Sequence, residues 1–292
     1  MQEPRLRHVQ CLGTRGLHRM AYWEWGDPAN PRVLVCGHGL NRQGRDFDTL
    51  AQAMCADYRV VCPDVVGRGQ SDWLADPAGY AIPAYVADMV TLVARLNVAQ
   101  VDWVGTSMGG LIGLGLASLP NNPVRRLVLN DVGPVIQPVA LRRIGAYLGQ
   151  PQHWKTLDEA ADALWAISQG FGPHTREQWL ALTRAQLVAQ EQGGVAGFKS
   201  HYDPNIAVPV RAITPELAAA GEAFLWHSYD RITAPTLLLR GADSDLLSPA
   251  TALAMTLRGP RAQLHELPGV GHAPTLVAAD QRALVRGFLL AP

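Results

Sequence analysis

Several classes of protein are excluded by what this chain of 292 residues has little of. Its four cysteines, Cys11, Cys36, Cys55 and Cys62, form no CxxC pair and are too sparse for a disulfide scaffold. Cys36 and Cys62 sit in apolar, strand-like runs, so buried free thiols are expected. Neither sign of charge is in excess: 25 Lys and Arg balance 25 Asp and Glu. Nothing in that balance would drive sequence-independent attraction to phosphate backbones, and nucleic acid is not an expected partner. No uninterrupted apolar run reaches the roughly 18 residues of a membrane span, and the opening MQEPRLRHVQCLG carries charges but no apolar leader segment. A cytoplasmic protein without a membrane anchor is expected. Internal repeats and low-complexity segments are also missing.

What remains is ordinary globular composition, 48% hydrophobic and 17% charged, long enough for one large α/β domain or a core with an insert. Up to residue 133, short β-branched runs alternate with helical stretches, the pattern of a mostly parallel sheet flanked by helices. HRMAYWEWG, RVLVCGHG, RVVCPDVVG, VDWVGTS and RRLVLNDVG read as strands, and the spacing predicts helices over Phe47 to Met54 and Tyr85 to Leu96. From 134 to 230 the strand signal gives way to helical stretches such as LDEAADALWAIS and REQWLALTRAQLVAQ. Strands resume with APTLLLRGADSD and AQLHELPGVGH, and the chain closes on the amphipathic DQRALVRGFLL. The expected organisation is a core of residues 1–133 and 231–292 interrupted by a helical insert, 134–230.

Chemistry concentrates in Gly105-Thr106-Ser107-Met108-Gly109, a G-x-S-x-G between the apolar strand VDWV and the helical run LIGLGLASL. Small residues flank a serine on a sharp strand-to-helix turn, where its hydroxyl is exposed and the Met108 amide faces a developing oxyanion. A serine needs a base, and His272 in Pro268-Gly269-Val270-Gly271-His272, between the last strand and the last helix, can supply it. The acid that orients this histidine is expected in GADSDLLSP after the strand TLLLR, where Asp245 is favoured over Asp243. His38-Gly39-Leu40-Asn41 follows the strand VLVCG, making the Leu40 amide the second oxyanion donor and His38 a brace for its loop. His201-Tyr202-Asp203-Pro204 and Trp226-His227-Ser228-Tyr229-Asp230 lack further metal-ligand spacing and read as packing or hinge segments.

Together these segments, with Asp64-Val65-Val66-Gly67-Arg68-Gly69-Gln70-Ser71, resemble the α/β-hydrolase superfamily over the whole chain outside the insert. The resemblance implies an α/β-hydrolase fold with a helical cap over the site, to which Trp154, Trp165, Phe171, Trp179 and Trp226 can contribute walls. It implies that Asp64 to Ser71 is a structural turn beside the pocket. Members commonly place the acid three residues after the glycine of its strand-end turn, which here is Ser244, flanked by both aspartates. The expected activity is cleavage of a small or medium acyl ester through an acyl-enzyme on Ser107, with no cofactor and no metal. Relatives with the same triad also cleave carbon–carbon bonds in ring-opened diketo acids or hydrolyse lactones. A receptor built on the same fold is the alternative from another class.

Overall fold

The computed structural model describes residues 3–291. Its centre is an eight-stranded sheet ordered β1-β2-β4-β3-β5-β6-β9-β10. The strands are β1 (Arg5–Gly13), β2 (Gly16–Trp25), β3 (Val33–Gly37), β4 (Arg59–Pro63), β5 (Val101–Thr106), β6 (Val124–Asn130), β9 (Thr236–Gly241) and β10 (Gln263–Leu267). β1 and β2 form an antiparallel edge, β2 pairs antiparallel with β4, and every later pairing is parallel. The inner strands are continuous apolar runs because both faces are covered. Val33 and Val35 of β3 enter one core and Leu34 and Cys36 the other, the alternation a period of two requires.

The flanking helices are α1 (Asp48–Met54), α2 (Ile82–Leu96), α3 (Met108–Ala117), α9 (Pro249–Leu257) and α10 (Ala279–Leu290). Pro83 falls in the first turn of α2, where its missing N–H costs nothing. Between β6 and β9 lie α4 (Pro138–Tyr147), α5 (Leu157–Ala166), α6 (Arg176–Gln186), β7 (Leu187–Gln192), β8 (Val195–Ser200), α7 (Ala207–Arg211) and α8 (Pro215–Asp230).

Two features depart from the sequence reading. Helix α6 stops at Gln186, and the following residues form the antiparallel hairpin β7–β8, turning at Gly193 and Gly194 with φ of 59° and 78°. Paired positive-φ glycines are the two-residue turn whose twist suits a hairpin, a signal outweighed in the sequence by the helical spacing before it. The other departure is α8, which packs against α3 with Tyr229 fully buried in the main core. The helical layer of the core thus includes a helix that the boundary at 230 assigned to the insert.

β3 lies between β4 and β5, so the chain leaves β3 to one side and returns on the other. At such a reversal the loops after the two strands diverge, and the crevice between them at the carboxyl ends is where ligands bind in open α/β sheets. Those loops carry Leu40 and Ser107.

Candidate active site

The turn from β5 into α3 is as tight as backbone permits. A Cβ on Gly105 would lie 2.3 Å from the Gly109 carbonyl oxygen, and one on Gly109 would lie 2.0 Å from that of Gly37. Only glycine lets α3 approach β3 this closely. Ser107 is held at φ 53°, ψ −117°, a backbone conformation that costs a non-glycine residue about 1–3 kcal/mol. Its N–H donates to the Asn130 carbonyl at 3.0 Å, and its own carbonyl accepts from Gly110 N–H at 2.8 Å.

Ser107 Oγ lies 2.9 Å from His272 Nε2, and His272 Nδ1 lies 2.7 Å from Asp131 Oδ2. Asp131, directly after β6, is 0% exposed. Its other oxygen accepts from Gly241 N–H at 2.9 Å, and Oδ2 also accepts from Ser244 Oγ at 2.6 Å. A buried carboxylate with these donors is fixed in position, and it accepts the Nδ1 proton of the ring, leaving the Nε2 lone pair towards the serine.

The expected acid, Asp245, is elsewhere. Its carboxylate accepts from Arg143 Nε at 2.6 Å and Nη2 at 2.8 Å, and this guanidinium holds it below the usual carboxylate range. Asp243 is exposed. The turn closed by Ser244 N–H on the Gly241 carbonyl, 3.0 Å, aims Ser244 at Asp131 and sends its two neighbours away. The sequence pattern draws the search for an acid to the loop after β9 and away from Asp131. The available signal was an aspartate ending VRRLVLND at the same sheet edge, together with a serine in the family's common acid position.

Buried groups brace the loops that carry Leu40 and Met108. His38 donates from Nδ1 to the Gly39 carbonyl at 2.7 Å and accepts Val65 N–H on Nε2 at 2.9 Å. Burial pushes its pKa down to about 3, so it is a neutral brace. Arg68, wholly buried, donates from Nε to the Leu40 carbonyl at 2.8 Å and from Nη1 to the Val66 carbonyl and the Tyr85 hydroxyl, while Nη2 lies 3.4 Å from Met108 Sδ. One side chain thus fixes residues on both sides of the serine. Met108 opens α3, whose first-turn amides have no carbonyl within the helix to bond. Asp64 accepts the N–H groups of Gly44 and Gln70, each at 2.8 Å, which holds the turn from Asp64 to Ser71 in place.

Residues 32–279 match the family model described as alpha/beta hydrolase fold. The chain belongs to the α/β-hydrolase family. It is 59% identical over 285 residues to a 3-hydroxybutyrate-oligomer hydrolase of Cupriavidus necator, covering 98% of this chain and 97% of that one. A 2-hydroxymuconate semialdehyde hydrolase of a Pseudomonas species is 28% identical over 269 residues, covering 89% and 87%. An alpha/beta hydrolase from Novosphingobium aromaticivorans, solved by crystallography, superposes with a TM-score of 0.85 at 36% identity over 99% of each chain. The protein is a hydrolase.

In this hydrolase the segment between β6 and β9 supplies one wall of the cavity at Ser107. Arg143, Ile144, Tyr147, Leu164, Ile167 and Phe171 face Leu40, Arg42 and His272 around a space of about 80 Å3. Among the aromatics expected there, Phe171 alone is a lining residue. Trp165 and Trp179 meet edge to face at 5.0 Å inside the segment's own core, and Trp226 packs on Tyr229 and under Arg258. The run His201 to Pro204 ties the segment down: Gly69 N–H donates to the His201 carbonyl, Asp203 N–H to the Gly67 carbonyl, and Tyr80 donates its hydroxyl to Asp203 at 2.5 Å. Among the described residues, Cys11, His18 and Asp88 come within ligating distance of one another under the β1–β2 edge, away from this cavity. His18 already bonds Asp88 there at 3.0 Å, and burial pushes the Cys11 thiol up to about 12, which disfavours the thiolate a metal requires.

Proposed function

We propose that the protein hydrolyses carboxylic esters through Ser107, His272 and Asp131, and that its substrates are oligomers of 3-hydroxybutyrate. The observation that carries the reading is the continuous chain from Ser107 Oγ through the His272 ring to the buried Asp131 carboxylate, opening on a cavity. The substrate class is supported by the 59% identity to a hydrolase of 3-hydroxybutyrate oligomers over nearly the full length of both chains.

His272 Nε2 takes the Ser107 proton as Oγ attacks the ester carbonyl, and Asp131 stabilises the imidazolium so formed. The amides of Leu40 and Met108 hold the oxyanion, their loops kept in place by Arg68 and His38. Collapse of the tetrahedral intermediate releases the departing unit's hydroxyl, which receives the proton from Nε2. Water, deprotonated by the same nitrogen, then attacks the acyl-Ser107 and frees the carboxylate. Every proton moves through protein side chains and water, so no cofactor enters. Residues 134 to about 214 act as a cap that shields the acyl-enzyme. The unpaired Cys11, Cys36, Cys55 and Cys62 fit a reducing, cytoplasmic compartment.

The test is hydrolysis of 3-hydroxybutyrate dimer and trimer by the wild type and Ser107→Ala, with a ring-cleavage diketo acid alongside and a fluorophosphonate label. Ser107-dependent release of 3-hydroxybutyrate together with labelling of Ser107 supports the reading. Rapid cleavage of the diketo acid with feeble ester turnover would move the assignment to carbon–carbon hydrolysis. An unlabelled protein inert towards all three would leave a receptor.

A further inference from the structure

Two arginines line the Ser107 cavity, and their partners distinguish them. Arg42 is locked by Asp46 one turn along the same segment, and both side chains are largely buried. Arg143 of α4 is paired across segments with Asp245 of the loop after β9, the two side chains remaining 38% and 34% exposed. Arg143, Tyr147, Ile167 and His272 also line a second cavity of about 460 Å3, which reaches Asp245. The two spaces therefore adjoin, with the Arg143–Asp245 pair beside their junction. The inner one alone is far below the roughly 300–1,000 Å3 of typical ligand pockets. An oligomer with its scissile ester at Ser107 that continues into the second space passes Arg143.

Resting on the ester-hydrolase reading, we propose that Arg143 is the specificity residue for the free carboxylate of an acidic ester oligomer, which it binds by exchanging Asp245 for the substrate. The chemistry favours this exchange. A linear hydroxyacid oligomer is neutral along its length and carries one carboxylate at one end, so a cation at the exit recognises that end alone. A guanidinium presents five N–H donors in a planar fork, two of which meet Asp245 and match any other carboxylate equally. The Asp245 side chain is 34% exposed, and replacing its carboxylate by another keeps the two-pronged bond, so the guanidinium gives up no hydrogen bond in the exchange. Tyr147, one turn along α4, lines both spaces beside the same guanidinium.

The two partners then have opposite effects, which a purely structural tether between α4 and the β9 loop would not produce. The experiment compares kcat/KM for 3-hydroxybutyrate dimer as free acid and as methyl ester, in the wild type, Arg143→Gln, Arg143→Lys and Asp245→Asn. Arg143→Gln should lower the acid-to-ester ratio by about tenfold or more through KM, the usual worth of a charged hydrogen-bonded pair. Arg143→Lys, which keeps the charge without the fork, should restore part of the ratio. Asp245→Asn should raise it, because the competing carboxylate is gone. Parallel losses on both substrates in Arg143→Gln and Asp245→Asn, or ratios that do not move, would overturn the proposal while leaving the ester reading intact. A wild type inert on both substrates would overturn the two together.

Discussion

Replacing Asp131 by Asn removes a charge without changing shape, and the surroundings fix what happens next. The amide oxygen can keep the Gly241 N–H, which leaves the NH2 group facing His272 Nδ1 and Ser244 Oγ, both of which donate to Asp131 in the wild type. Ser244 can rotate its hydroxyl and accept, whereas the imidazole can accept on Nδ1 only by moving its proton to Nε2. That places a donor where Ser107 needs an acceptor. An Asp to Asn change with this consequence costs serine hydrolases about 10^4-fold in kcat, or about 5.4 kcal/mol at about 1.36 kcal/mol per decade. The assay is steady-state hydrolysis of 3-hydroxybutyrate dimer at pH 7.5, with thermal unfolding to show that the variant is folded. Asp245→Asn is the control and, with both variants assayed on the methyl ester of the same dimer as well, should stay within about tenfold of the wild type on that ester, since its carboxylate touches Arg143 and not His272. A folded Asp131→Asn within tenfold of the wild type, or an equal collapse in Asp245→Asn, would refute the assignment.

Ser244 Oγ is 2.6 Å from the Asp131 oxygen that meets the histidine, so S244D in the Asp131→Asn background should recover about tenfold or more of the lost kcat. No recovery in a folded double variant would mean that position 244 cannot reach the ring. Arg68→Met strands the Leu40 and Val66 carbonyls and the Tyr85 hydroxyl, and should destabilise the fold by about 3 kcal/mol or more in urea titrations while lowering kcat more than it raises KM. Unchanged kcat would detach Arg68 from any part in the reaction through Leu40 and Met108. His38, buried and neutral down to about pH 3, binds its proton more readily when unfolded, so its contribution is intact above about pH 6.5 and is lost as pH falls towards 3. Urea titrations from pH 7 to 4 should therefore show the wild type losing about 1.4 kcal/mol per pH unit relative to His38→Asn. Parallel curves would contradict a neutral buried imidazole.

The alternation of Val33, Leu34, Val35 and Cys36 between two cores, the glycines that bring α3 onto β3, and the strand-turn-helix setting of Ser107 are properties of neighbouring residues. Local periodicity and local sterics therefore determined the sheet, its flanking helices and the positions of Ser107 and His272 at its carboxyl edge. The partner of His272 is a different kind of fact. Asp131 and Ser244 are 113 positions apart in the chain and meet because β6 and β9 are neighbours in the sheet, so either loop can deliver a carboxylate to the same point. Which loop does so depends on the turn after Gly241, which points Ser244 inward and leaves Asp245 to Arg143. The same holds for Arg143 at the cavity and for the β7–β8 hairpin, whose strand pairing overrode a helical pattern. Sequence specifies which groups can do chemistry, and long-range packing decides which of them meet, because a hydrogen bond depends on distances set by every element between its partners.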